Sequence, residues 1–153
     1  MGCLRCLFVR QIAWFAGLLV AGGLAYGADL DLGQYRGKVV YLDFWASWCG
    51  PCRQSFPWLA DIERHYGSDK LVVVGVNVDH DPHLAERFLN ETPANFPIIY
   101  DPAGALATAY HVTAMPSSIL IDRTGHIRYR HNGFTVKEED EYERQISELL
   151  GEK

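Results

Sequence analysis

Runs of apolar residues mark the strands that the chain is predicted to form. Eight residues at Val39–Ala46 and eight at Leu71–Val78 are nearly all apolar, which predicts strands buried on both faces. Shorter apolar runs predict two more strands, at 98–100 and 117–122. Residues 126–131 follow a turn that contains glycine, so the last two segments are predicted to pair as an antiparallel hairpin.

Helix-start signals and apolar spacing place helices between these strands. Apolar residues at helical spacing predict a helix over 51–66. Asp81–Pro82 and Asp101–Pro102 each combine a capping residue with a proline at the first helical position, which predicts two further helix starts. Thr135 and Glu138 form a capping box before the last helix. Strands that alternate with helices and end in a hairpin predict an α/β fold, with a central mixed β-sheet flanked by helices.

The first 28 residues differ from the rest of the chain. Arg5 and Arg10 are the only charged residues before Asp29, and the run over 12–28 is apolar apart from glycines and one tyrosine. A basic start followed by such a run is typical of a signal peptide, and its length is near the minimum for a membrane anchor. Both readings of 1–28 stay open. Either one predicts a periplasmic or other extracytoplasmic domain at 29–153, with the membrane contacted only through the N-terminal segment.

Composition and charge add limits on function. The chain has 153 residues, with 48% hydrophobic and 22% charged residues, which suits one globular domain. The net charge is −5, so nothing in the composition predicts binding to nucleic acid.

Two of the four cysteines carry the candidate chemistry. Cys3 and Cys6 precede the apolar run and are interpreted as incidental, whereas Cys49 and Cys52 lie where a strand gives way to a helix. Cysteines one helical turn apart share a face, so this pair is able to form a disulfide. The unpaired N–H groups and the dipole at a helix start stabilise a thiolate at Cys49.

Asp43 is a carboxylate in the middle of a strand predicted to be buried, six residues before Cys49. Burial should raise its pKa, because the charged form loses its hydration. An acid with a raised pKa is suited to take the proton from Cys52 when that thiol attacks. The alternative is a structural aspartate bonded to Lys38 or to a backbone group.

The motif Trp48-Cys49-Gly50-Pro51-Cys52 resembles the signature of the thioredoxin superfamily. The segment over 78–114, and Met115-Pro116 with the strand that follows, resemble the exported TlpA/ResA-like branch, including its insertion. The resemblance extends over residues 36–150. It implies a cis-proline at Pro116, a Met115 backbone that pairs with an extended substrate, and a substrate-binding surface at Trp48, Gly50 and Pro51.

The same resemblance implies a thiol–disulfide oxidoreductase with no organic cofactor. Cys49 would attack a partner protein and Cys52 would resolve the mixed disulfide. The family suggests a reductant that acts on exported partners, for example cytochrome c or copper-site cysteines, with electrons from a transmembrane thiol carrier. The TlpA/ResA branch often places an acid three residues after the second cysteine, where this chain has Ser55.

A binding protein is the competing hypothesis. Cys49 and Cys52 are also suited to hold copper or another thiophilic metal, with Met115 or a histidine as a further ligand. His80 and His83 lie close together, but no third ligand has an evident spacing, so they are interpreted as solvated loop residues and no metal site is predicted there.

Overall fold

The computed structural model of the chain describes residues 30–152. Cys3, Cys6 and the predicted leader at 1–28 lie outside the described residues. Within 30–152, no helix is both long and apolar enough to cross a membrane. The strands of this part of the chain are β1 Val39–Trp45, β2 Leu71–Asn77, β3 Ile98–Tyr100, β4 Ser117–Ile121 and β5 Ile127–Asn132. Its α-helices are α1 Gly50–Tyr66, α2 Pro82–Glu91, α3 Ala105–Ala109 and α4 Glu139–Gly151.

The strands form one mixed sheet in the order β3-β2-β1-β4-β5. β2 runs parallel to both β1 and β3, while β4 runs antiparallel to β1 and to β5. The predicted α/β fold, with a mixed sheet that ends in a hairpin, is confirmed. The predicted extra helix and short strand are present as α2 and β3, between β2 and β4.

Strand β1 lies at the centre of the sheet, and its seven residues are all buried. Its side chains alternate between two apolar clusters, one on each face. Tyr41 and Trp45 belong to the cluster that α1 and α4 cover, which also contains Cys49 and Cys52. The cluster on the other face includes Val40, Leu42 and Phe44 of β1 together with Leu106 of α3. Strand β1 is therefore packed against apolar side chains on both faces of the sheet.

The predicted start of the third helix is wrong by three residues. α3 begins at Ala105, with Gly104 as its N-cap in the left-handed region at φ 67°. The reason is that Asp101 caps the helix from a distance, since its carboxylate accepts hydrogen bonds from the backbone N–H groups of Ala105 and Ala107 at 2.8 and 2.9 Å. The Asp81–Pro82 start is confirmed, with Asp81 accepting from the His83 backbone.

Gly75, in the middle of β2, lies where the surrounding side chains leave no room for a Cβ atom. A Cβ atom there would lie 2.8 Å from Cδ1 of Ile98, 3.1 Å from Nε1 of Trp45 and 3.2 Å from Cε2 of Phe96. These contacts are tighter than ordinary van der Waals distances, so an added methyl group would overpack the face that α1 covers.

Gly75→Ala should therefore lower the free energy of unfolding by about 1–3 kcal/mol. Chemical denaturation monitored by circular dichroism measures this. Gly151→Ala is the matched control, because a Cβ there meets no atom within 4 Å, and it should leave stability unchanged or slightly raised. Equal stabilities of Gly75→Ala and the wild type would show that the close packing around β2 is misassigned.

Candidate active site at the start of α1

Cys49 and Cys52 are joined by a disulfide at the first turn of α1, with their Cα atoms 5.3 Å apart. Cys49 is the N-cap residue of the helix. Its sulfur accepts a hydrogen bond from the backbone N–H of Cys52 at 3.2 Å. In the reduced protein the same N–H and the helix dipole favour a negative charge on the Cys49 sulfur.

The residues around the disulfide differ sharply in exposure. Cys52 is fully buried and Cys49 is 3% exposed, so the predicted order of accessibility is right although both sulfurs lie deep. Trp48 is 70% exposed, and Gly50 and Pro51 are exposed as well. Trp48 and the Gly50-Pro51 turn therefore form an exposed rim next to the buried Cys49.

Pro116 follows a cis peptide bond from Met115, as the resemblance implied. Ser117, the next residue, pairs with Phe44 of β1, so Pro116 lies at the end of the sheet from which the chain enters α1. The Pro116 carbonyl accepts a hydrogen bond from Gly133 at 2.8 Å. Met115 is partly buried and packs against the cluster that contains both cysteines. The two sequence-predicted parts of the site therefore lie at the same end of the sheet.

Asp43 is 2% exposed, in the buried centre of β1. It lies two residues from Tyr41 and from Trp45, so its side chain points to the face that α1 and the cysteines cover. Burial raises the pKa of Asp43 well above its ordinary 3.8. Among the described residues, its Oδ2 atom has no hydrogen-bond partner. The carboxyl group is thus more easily protonated than an ordinary aspartate.

Lys38 and Ser55, two residues that bear on the role of Asp43, both make hydrogen bonds elsewhere. Lys38, proposed as a structural partner, instead donates a hydrogen bond to the Ser68 carbonyl at 2.9 Å. Ser55, at the position where the TlpA/ResA branch often has an acid, is buried and donates to the Cys52 carbonyl at 3.1 Å. Asp43 therefore remains a candidate proton acceptor at this site.

Asp79 is a structural part of the site that the sequence analysis missed. Its carboxylate is 3% exposed and accepts hydrogen bonds from the backbone N–H and the hydroxyl of Ser47, both at 2.9 Å. Asn77 donates to the same carboxylate at 2.8 Å. These bonds brace the loop that leads into Cys49. The signal was present, because Asn77 ends a strand parallel to β1 and Asp79 follows two residues later, and the carboxyl ends of parallel strands meet at one edge.

The described residues contain no group of three or more His, Cys, Asp or Glu side chains arranged to hold a metal ion. His80 bonds through Nδ1 to the Pro102 carbonyl at 2.8 Å, and His83 pairs with Glu86 at 3.0 Å. Both histidines are thus engaged in local contacts on the exposed surface around α2.

A family model described as Redoxin matches residues 21–146 of the chain. Among curated proteins, the chain is 33% identical to the thiol-disulfide oxidoreductase ResA of Bacillus subtilis, over 66% of this chain and 56% of that protein. The chain thus spans just over half the length of that relative.

Solved structures agree with the family match. A Chlorobium tepidum protein, provisionally named thiol:disulfide interchange protein DsbE, is 46% identical with a TM-score of 0.76, covering 78% of this chain and 85% of that one. The pneumococcal exposed lipoprotein thioredoxin from Streptococcus pneumoniae is 33% identical with a TM-score of 0.68, covering 77% and 90%. With its mixed five-stranded sheet, the chain belongs to the Redoxin family, as a ResA/TlpA-like member of the thioredoxin superfamily.

Proposed function

We propose that the protein is a thiol–disulfide oxidoreductase that exchanges disulfides with partner proteins. The observation that carries the proposal is the Cys49–Cys52 disulfide at the N-terminus of α1, with the Cys49 sulfur bonded to a helix N–H and an exposed rim around it. A disulfide this local closes a loop too short to stabilise the fold appreciably. The names of the ResA and DsbE relatives support the same activity.

In the reducing direction, the Cys49 thiolate attacks one sulfur of a partner disulfide. A bond forms between Cys49 and that sulfur, and the partner's other sulfur leaves as a thiolate. Cys52 then loses its proton and attacks the Cys49 sulfur, which re-forms the Cys49–Cys52 disulfide and releases the partner's second thiolate. The partner gains two electrons, and an external dithiol returns them to the protein.

Asp43 is proposed as the acceptor of the Cys52 proton. Cys52 is fully buried, so its thiol has little access to water as a base. Asp43 is buried on the same face of the sheet, and burial raises its pKa. The raised pKa brings the proton affinity of the carboxylate closer to that of a thiol, which favours proton transfer between them.

The partner is proposed to bind across Trp48, Gly50 and Pro51, with the Met115 backbone pairing with an extended segment. Trp48 offers a large exposed ring, and exposed aromatic side chains are enriched at protein–protein contacts. The turn at Gly50-Pro51 exposes little side chain, so a partner backbone is able to approach the Cys49 sulfur closely.

The proposed setting is outside the cytoplasm, with the protein acting as a reductant and receiving electrons from a transmembrane thiol donor. The apolar N-terminal segment after Arg5 and Arg10 supports export or anchoring. The pneumococcal structure is described as an exposed lipoprotein, which supports the same location. Cytochrome c or copper-site cysteines are the proposed class of partner.

Replacing Cys52 should trap the mixed disulfide. In a chain with Cys3→Ser and Cys6→Ser, the reduced protein should release two equivalents of the coloured thiolate from an aromatic disulfide reagent and keep no adduct. The added change Cys52→Ser should release one equivalent and keep a stable adduct on Cys49, because nothing resolves it. Absorbance and intact mass measure both. A wild-type adduct as stable as that of Cys52→Ser would contradict the proposal.

Asp43→Asn should slow resolution of the mixed disulfide by about tenfold or more. The difference in rate between the variant and the wild type should grow as the pH rises through the pKa of Asp43, because only the ionised carboxylate accepts a proton. The difference should vanish at a pH high enough for the Cys52 thiol to ionise without a base. Stopped-flow release of the second thiolate measures the rate. Asp101→Asn is the control, since Asp101 is also buried but caps α3. Equal pH profiles for Asp43→Asn and the wild type would refute the role.

Asp43 should also make stability depend on pH. Burial raises its pKa in the folded protein, so the unfolded chain releases this proton at a lower pH than the folded protein does. As the pH rises, the folded state therefore loses stability relative to the unfolded state, by about 1.4 kcal/mol per unit of pKa difference. Asp43→Asn should therefore be more stable than the wild type near neutral pH, with the gain lost below about pH 4. Thermal unfolding against pH tests this, and a gain that is the same at every pH would contradict it.

A further inference from the structure

A chain of hydrogen bonds runs from the centre of the sheet to the surface of α4. The Tyr41 hydroxyl lies 2.8 Å from the Ser118 hydroxyl, which lies 3.1 Å from Nδ1 of His131. Nε2 of His131 lies 2.8 Å from Oε1 of Gln145, and Nε2 of Gln145 donates to Glu141 at 2.7 Å. The chain thus connects β1, β4, β5 and α4 through side chains alone.

The inner end of this chain lies beside Asp43. Tyr41 and Asp43 are two residues apart on β1 and point to the same face. Ser118 is the direct cross-strand partner of Asp43 on β4, whereas the partner on β2 is Gly75, which offers no side chain. Burial, together with the charge of Asp43, raises the pKa of Tyr41 well above its ordinary value.

The contacts at the outer end fix the direction of every hydrogen in the chain. Gln145 donates its amide hydrogens to Glu141, so its Oε1 must accept, and Nε2 of His131 must carry a hydrogen. In neutral His131, Nδ1 is then an acceptor, and the Ser118 hydroxyl donates to it. Since Ser118 has a single hydrogen, the Tyr41 hydroxyl must donate to Ser118. With neutral His131, both hydroxyl hydrogens are therefore taken up, that of Tyr41 by Ser118 and that of Ser118 by His131.

Protonation of His131 reverses this direction. Both ring nitrogens then donate, so the Ser118 oxygen accepts from Nδ1 and the Ser118 hydrogen turns to Tyr41. The Tyr41 hydroxyl hydrogen then no longer has Ser118 as its acceptor, and Asp43, whose Oδ2 has no hydrogen-bond partner among the described residues, lies on the same face of β1. Hydrogen-bond donors and a nearby positive charge both favour an ionised carboxylate.

We propose that His131 controls the proton affinity of Asp43 through the hydroxyls of Ser118 and Tyr41, and is thereby a positioning residue for thiol exchange. The proposal rests on the proposed function, in which Asp43 accepts the Cys52 proton. Protonated His131 favours an ionised Asp43 that is ready to act as a base. Neutral His131 favours a protonated Asp43.

His131 is placed to respond to the pH of the solvent. It is only half buried on the edge strand β5, so water reaches the ring. Burial lowers the pKa of His131, while the bond to Gln145 and the charges of Glu138 and Glu141 oppose this. Tyr142 stacks on the ring with centroids 3.9 Å apart, and its own pKa is raised to about 12 by burial and Glu138. Tyr142 therefore stays neutral while His131 titrates.

His131→Asn in the full chain tests the proposal. The asparagine oxygen is able to accept the Ser118 hydrogen as Nδ1 does, but it takes up no proton at ordinary pH. The rate of mixed-disulfide resolution should be equal in the two proteins at about pH 8, and the wild type should become faster by roughly threefold to tenfold at about pH 5. A rate ratio that stays constant with pH would overturn the proposal, because packing damage lowers the rate at every pH.

The coupling must also act in reverse, since linkage between two sites is reciprocal. In NMR titrations of the His131 ring, Asp43→Asn should lower the pKa of His131, because the carboxylate that stabilises the charged ring is gone. The effect should shrink in a Ser118→Ala background. It should persist with Ser117→Ala, the matched control, whose hydroxyl bonds to Ala114 and Asn132 instead. An unchanged His131 titration in Asp43→Asn would overturn the coupling.

The outcomes separate this proposal from the proposed function. If Asp43→Asn resolves mixed disulfides as fast as the wild type, Asp43 is not the base, and the NMR titration still decides whether the two groups are coupled. If Asp43→Asn is slow while His131→Asn keeps the wild-type pH profile, the base assignment stands and the control by His131 is wrong.

Discussion

The position of Cys49 at the exact junction between a buried strand and a helix is the constraint on which the site depends. Strand β1 is buried along its whole length, and α1 starts one residue after Cys49. The Cys49 sulfur takes the place of a capping oxygen by accepting the Cys52 N–H. Helix capping and thiolate stabilisation are therefore the same interaction, and Asp79 secures it by bracing Ser47 in the preceding loop.

Beneath this junction, the face of the sheet combines an apolar core with a few polar groups. Trp45 and Phe56 pack edge to face at 4.9 Å, and such packing excludes water from the side of Cys52. The same exclusion raises the pKa of Asp43, so the apolar packing itself prepares a carboxyl group with an affinity for protons. The polar chain from Tyr41 to His131 leads from there towards the protein surface.

Local patterns in the sequence were sufficient for much of this architecture. The apolar run around Asp43 predicted a buried strand with a perturbed acid, and the Cys49–Cys52 spacing predicted a disulfide at a helix start. The patterns failed where a side chain bonds to a residue outside its own local segment of the sequence. Asp101 caps α3 from four residues before its start, and the Tyr41–Ser118 contact joins residues 77 positions apart. Periodicity reports the face on which a side chain lies, but only the register of β1 against β4 shows which group it meets.

Equilibration of the Cys49–Cys52 pair with glutathione tests the central claim most directly. The full chain with Cys3→Ser and Cys6→Ser would be incubated over a series of ratios of oxidised to reduced glutathione, and free thiols would then be trapped and counted by mass. Reversible thiol–disulfide exchange predicts that both cysteines convert together, with one midpoint reached from the oxidised and from the reduced starting state. An oxidised fraction that depends on the starting state at equilibrium, or one cysteine converting without the other, would contradict the account.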